Sequence, residues 1–430
     1  MLLTFSTYTL PFIHIIPYIW FDYSDPPNRM WGLAVNPYMV DQTIIELMSI
    51  IGAVGAIGLI IGISYSSSKL ANRSYKGVPN YKITGKIKTL PMPFFLAWTA
   101  IGIVASWLFA PEQTIFTAAY TESKSISSNW NFGSIWMISY AFLAFAFADS
   151  LFEISKNIRR LKKQIIIYSI LFIVIWLQLL RGDRESLPFV LGCFLMHYIW
   201  NNRLTLLEKR KIPWKRILLW ILVIFSISNI IGTLRSNVVG KDVFLIAVTL
   251  EESIKNNDEF KIDDLFSGTW SAALLSPLSI SGDYVNNMLS IKYGKTYIDL
   301  LVSIMPGFIA DWIGYIRPID SWNGPAWEMR YGIGGTHAVV VPFINFKIIG
   351  VFLIIFIWSF ALAKIEFKAT KNPNVFNLSL LVIMTTALPH WLWYGEKNII
   401  NSLIIWLILS LLYRLCLSNK IRSYYQLIIN

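Results

Sequence analysis

Apolar residues along this chain gather into runs of roughly 16 to 25, parted by short polar connections, from one end to the other. A bilayer core asks for about 20 such residues in a helix, and a helix satisfies its own backbone where water is absent. The runs predict spans near 2–20, 41–64, 91–110, 132–151, 165–180, 186–200, 217–233, 338–363, 378–395 and 399–415. The expected fold class is therefore all-α: a polytopic integral membrane protein with about 10 transmembrane helices. It divides into seven helices over 1–233, one large loop over 234–337, and three helices over 338–430.

The large loop carries periodic segments of its own. Residues 242–260 (DVFLIAVTLEESIKNNDEF) are apolar first and acidic afterwards, as in a helix lying on a surface. Residues 298–316 (IDLLVSIMPGFIADWIGYI) are apolar enough to span, but Pro306, Gly307 and Asp311 interrupt them. A crossing there would move the basic 364–377 segment to the other side of the membrane, so the segment is expected to be interfacial or re-entrant. Trp312, Trp322 and Trp327 suit headgroup level.

Composition strengthens this picture. The chain is 55% hydrophobic and 14% charged, against about 25% charged in globular domains. Its net charge of +12 would invite a nucleic-acid reading, were it not so unevenly spread. Segments 65–90, 152–164 and 201–216 hold six, five and six Lys/Arg; segment 364–377 and the tail from 414 hold three each. The loop 234–337 holds eight against twelve acids. Basic loops collect on the cytoplasmic side, which puts both ends inside and the large loop outside. The excess is a topology signal, and no nucleic-acid partner is expected. Cys193 and Cys416 both lie in apolar runs, so neither a disulfide framework nor a thiolate metal cluster is expected. The first residues lack a basic start and a small-residue cleavage site, so no cleaved signal is expected. No internal repeat is evident, which argues against many transporter folds.

Candidate chemistry concentrates on the external face. In LQLLRGDRESLPFVLG (177–192) two short spans meet at a tip holding Arg181 and Arg184. Each span reaches about 24 Å, short of the bilayer core, so the tip lies at headgroup depth. Asp183 and Glu185 partly neutralise it, so a charged hairpin turn and an anion site both fit. Arg235, Arg317 and Arg330 lie near the same plane. Guanidinium forks bind phosphate oxygens in pairs and stay charged, which makes a phosphate the fitting anion. In YGIGGTHAVVVPFINFKIIGVFL (331–353) a Gly-rich turn delivers His337 to the start of a span. An imidazole can take a proton near neutral pH, or it can cap the helix that follows; both readings stand. Gly192, Gly334 and Gly335 are read as turn glycines, and His390 is the alternative base. His14 and His197 are read as structural. No HExxH, P-loop, dinucleotide fingerprint or His/Cys cluster occurs, and no metal or other cofactor is expected.

The span layout, the dominant external loop and GGTH running into PFINFKIIGV resemble the O-antigen repeat-unit polymerases of bacterial surface-polysaccharide pathways, which are similar to O-antigen ligases. Arg181 followed by Gly192 matches a loop pattern of some polymerases, but no second copy starts from Arg317 or Arg330. The resemblance implies a metal-independent glycosyltransferase of the inner membrane with its active site facing the periplasm. Its implied substrates are undecaprenyl-pyrophosphate-linked oligosaccharides, and its implied partners are the lipid bilayer and a chain-length regulator protein. It implies that Arg181, Arg184, Arg235, Arg317 and Arg330 bind pyrophosphate and that His337 deprotonates the acceptor hydroxyl. A ligase, or a polysaccharide flippase, is the alternative.

Overall fold

The computed structural model describes residues 41–74, 89–108, 135–152, 158–180, 189–190, 192–194, 196–198, 276–303, 312–314, 331 and 336–417. Among them there is no strand, only an isolated bridge residue at Thr336. The helices are α1 (Gln42–Ser74), α2 (Met92–Leu108), α3 (Ile135–Phe152), α4 (Ile158–Leu180), α5 (Lys295–Ser303), α6 (Val340–Lys371), α7 (Val375–Tyr394) and α8 (Lys397–Cys416). Gln42–Ser66, Val340–Lys371 and Lys397–Cys416 are long and apolar enough to cross a membrane. Met92–Ala105, Met137–Phe152 and Val375–Leu388 are shorter apolar helices. The chain is thus helical and suited to a lipid bilayer. The runs expected at 2–20 and 217–233, and the segment 242–260, lie outside the described residues.

Local signals explain where several helices start and stop. Asp41 opens α1, its Oδ1 accepting the Thr43 amide at 2.9 Å. Asn374 opens α7 in the same way, accepting the Asn377 amide at 2.8 Å. Gly395 closes α7 with φ of 66°, and its amide donates back to the Trp391 carbonyl at 2.9 Å.

The chain divides into two compact units. The first comprises Met1–Ser74, Asn257–Glu366 and Leu388–Ile399. Here α1 and α6 meet backbone to backbone. A Cβ on Gly58 would lie 2.8 Å from the Phe352 carbonyl oxygen, and one on Gly62 2.7 Å from that of Phe356. Glycines four apart let two helices approach closely in lipid, where packing rather than water expulsion drives association. The helix α6 is broken near its start: Phe346 (φ −139°, ψ 18°) and Lys347 (φ 54°, ψ −150°) leave helical geometry.

The second unit comprises Tyr75–Asn256, Phe367–Ala387 and Ile400–Asn430. In it Ser139 Oγ donates to the Gly102 carbonyl at 2.7 Å, tying α3 to α2. Trp98, Phe145, Phe376 and Tyr413 form an aromatic cluster with centroid separations from 5.3 to 6.1 Å. The helix α4 begins at Ile158, not at 165, because the basic residues ahead of the apolar run are helical too. One of them, Lys163, turns inward and pairs with Asp149 at 2.6 Å. His197 meets the Tyr168 hydroxyl at 3.3 Å through Nδ1. Gly192, read as a turn glycine, is helical instead. A Cβ there would lie 3.2 Å from the Val382 carbonyl oxygen, so glycine serves close packing against α7.

Candidate functional site

Among the described residues of the first unit, polar side chains gather around the entry to α6. Two hydrogen bonds seat Tyr331 and His337 against the 276–285 helix. Tyr331 Oη donates to Asp283 Oδ2 at 2.6 Å, and the His337 amide donates to Ser276 Oγ at 2.8 Å. The His337 ring then accepts the Val339 amide at Nδ1, 3.3 Å away. A side chain that binds the amide two residues on holds a turn, much as an Asx turn does. The Val340 amide closes the same turn on the His337 carbonyl at 2.9 Å, and α6 follows. A neutral imidazole that accepts at Nδ1 carries its proton on Nε2. His337 is fully buried. So the capping reading of this histidine describes its resting geometry, with Nδ1 engaged by the Val339 amide.

One turn into α6, Asn345 ties the next strand of chain to the helix. Its Oδ1 accepts the Gly294 amide at 2.8 Å, while Nδ2 donates to the Val341 carbonyl at 2.8 Å and to Thr296 Oγ1. The Lys292 amide reaches the Ile344 carbonyl at 3.0 Å. These bonds fix the start of α5 and, with it, Tyr297.

Tyr297 Oη donates to Glu396 Oε1 at 3.4 Å, across 99 positions of sequence. Glu396 lies in the connection between α7 and α8, turned inward by the left-handed Gly395 just before it. Its carboxyl is fully buried, and among the described residues Oε2 has no hydrogen-bond partner. Burial pushes the Glu396 carboxyl up to about 8, with its own backbone amide and Tyr297 pulling the other way. The same burial, followed by the adjacent carboxylate, pushes the Tyr297 phenol up. At neutral pH Glu396 is therefore an acid holding its proton, able to give it. Trp391, in the last turn of α7, is also fully buried, with Nε1 lacking a partner among the described residues.

Glu396 is not among the sequence candidates. The signal lay in YGEK: a single carboxylate in a tight turn between two apolar runs. Of the sequence candidates, His337 is placed as above, and His390 lies within α7. Arg181, Arg184, Arg235, Arg317 and Arg330 lie outside the described residues, as do His14, Gly334 and Gly335. Among the described residues no three His, Cys, Asp or Glu side chains gather where they could hold a metal ion.

No family model matches the chain, and no curated protein or solved structure matches it. What fold and site define is a class: a helical protein suited to a bilayer, with a buried histidine and a buried carboxylic acid in one of its units.

Proposed function

We propose that this chain is an O-antigen repeat-unit polymerase, a metal-independent glycosyltransferase acting at the periplasmic face of the inner membrane. It transfers the growing chain from undecaprenyl pyrophosphate to the sugar of the next lipid-linked unit. The acceptor oxygen bonds to the anomeric carbon, the bond from that carbon to pyrophosphate breaks, and undecaprenyl pyrophosphate leaves with the electron pair. No further energy source is needed, since the linkage is already activated.

The observation that carries this reading is the seat of His337: a buried histidine held by Ser276 and the Val339 amide at the start of a long apolar helix. In the reaction His337 takes the acceptor proton at Nε2. That nitrogen must then offer a lone pair, so the ring proton moves to Nδ1 and the bond from the Val339 amide opens during turnover. Arg181 and Arg184 bind the pyrophosphate, with Arg235, Arg317 and Arg330 assisting, and stabilise charge as it develops on the leaving group.

Surface polysaccharide from a deletion strain, resolved on a gel, tests the reading. A single repeat per lipid core is the expected result. Bare core with lipid-linked polymer accumulating would make the chain a ligase, and single lipid-linked units held inside would make it a flippase. Topology is tested by cysteine labelling: Asn257→Cys is expected to react with an impermeant reagent from outside, and Lys371→Cys is not.

A further inference from the structure

Beside the α6 break lies an open groove of about 580 Å³, lined by the start of α1, the chain from Tyr284 to Ile291, and Lys347. Apolar side chains form part of it, including Leu47, Ile50 and Leu289. Two opposite charges also line it, Glu46 and Lys347. Neither forms an ion pair among the described residues. Among the described residues Glu46 accepts a hydrogen bond from Gln42 Nε2, at 3.0 Å along its own helix. The Lys347 ammonium lies over the Tyr284 ring, 5.3 Å from its centroid.

Lys347 occupies its place at a conformational cost. With φ of 54° and ψ of −150° it adopts a region open in practice to glycine alone. A lysine whose sole task was to reach the headgroups from a regular helix could do so by extending its flexible stem. At the break the ammonium lies over the Tyr284 ring. Strain of this kind persists where the surroundings over-determine it, and it marks ligand sites.

We propose that this groove binds a phospholipid whose headgroup bears both a phosphate and a primary ammonium, as in phosphatidylethanolamine. The phosphate sits on Lys347, the ammonium on Glu46, and the hydrocarbon lies along Leu47, Ile50 and Leu289. Charge complementarity selects this occupant. A purely anionic headgroup would meet Lys347 but also face the Glu46 carboxylate. A choline headgroup has no N–H to give Glu46. A bare sugar would seek an open aromatic face, whereas Tyr284 carries the ammonium and packs near a right angle on Phe343, 5.4 Å away. The site is separate from the reaction proposed above and does not depend on it.

Native mass spectrometry of the purified full-length protein, titrated with single lipids, tests the proposal. Phosphatidylethanolamine is expected to bind roughly tenfold more tightly than phosphatidylcholine or phosphatidylglycerol, the worth of one charged hydrogen bond. Lys347→Gly is expected to lose that binding while folding at least as well, since glycine accepts the backbone geometry. Glu46→Gln is expected to erase the preference over phosphatidylglycerol. Equal binding of phosphatidylglycerol by the wild-type protein would overturn the proposal, leaving an anion site alone. Unchanged binding in Lys347→Gly would overturn it as well. So would displacement of the lipid by an equal concentration of soluble phosphoethanolamine, because the groove would then grip no hydrocarbon.

Discussion

Asp149 and Glu396 are both fully buried carboxyl groups, one in each compact unit, and their company differs. Asp149 has Lys163 Nζ at 2.6 Å, the Leu90 amide at 2.8 Å and the Tyr413 hydroxyl. Lys163 in turn donates to the Leu90 carbonyl at 2.7 Å and lies 5.0 Å from the Phe95 centroid. Both charges and both oxygens are answered. Such a centre joins α2, α3, α4 and α8 and has no capacity left over; it is scaffold. Glu396 has one long bond from Tyr297, no counter-charge among the described residues, and a second oxygen without a partner there. A buried carboxyl without a counter-charge keeps its proton, so the first unit holds a group whose state can change near neutral pH. Where burial is compensated the chain builds structure. Where it is not, the chain stores chemistry.

The widest gap between the units should appear at His337. His337→Ala is expected to cut polymer synthesis by about 10²–10⁴-fold, the usual worth of a positioned base. His337→Asn separates the two readings of that residue, because asparagine can still hold the turn through the Val339 amide but cannot act as base. It is expected to fold like wild type and make no more polymer than alanine. Normal polymer from His337→Asn would leave the histidine a cap.

Breaking the scaffold should cost stability, not chemistry. Lys163→Met leaves Asp149 buried without its counter-charge, and is expected to destabilise by about 3–5 kcal/mol. Adding Asp149→Asn should recover much of that, since the pair is then replaced, not halved. Thermal unfolding of purified protein in detergent measures both. If Lys163→Met unfolds like wild type, the centre is no scaffold and the contrast fails.

Glu396 should reveal itself through pH. Its folded pKa, about 8, lies above the ordinary 4.5, so the native state holds a proton that the unfolded chain releases. The contribution of Glu396 to stability is then full in acid and is lost as pH rises through the window from 4.5 to about 8, by up to about 1.4 kcal/mol per pH unit. Glu396→Gln keeps the bond from Tyr297 and cannot ionise. It is expected to flatten that part of the unfolding profile, and the same slope in the variant would assign the proton elsewhere. The smallest effect belongs to Gly395→Ala. A side chain in the left-handed cap that delivers Glu396 costs about 1–2 kcal/mol, read as a lower unfolding midpoint.

Much of the architecture was legible one residue at a time. Apolar runs foretold α1, α2, α3, α6, α7 and α8 to within a turn at most of their ends, because helix formation in lipid depends on composition over a local window. The overrun of α1 to Ser74, beyond the expected 64, shows the limit: polar and basic residues continue a helix as readily as apolar ones when nothing breaks it. The start of α4 failed for the same reason. The seat of His337 at the head of α6 was legible from GGTH and the apolar run behind it, but its tautomer was not, since that rests on where the Val339 amide points.

Sequence by itself determined the class of molecule and the approximate helices, through signals that act within a few residues. Tertiary structure alone decided the state of each charge. Lys163 reads as one of a basic run and is a buried partner; Glu396 lies between two apolar runs, and burial pushes its carboxyl up; Lys347 lies in an apolar run and sits in a strained break. The reason is physical. Helix propensity and capping are short-range, whereas the free energy of an ionisable group depends on burial and on partners such as Tyr297 and Leu90, which lie 99 and 73 positions away along the chain.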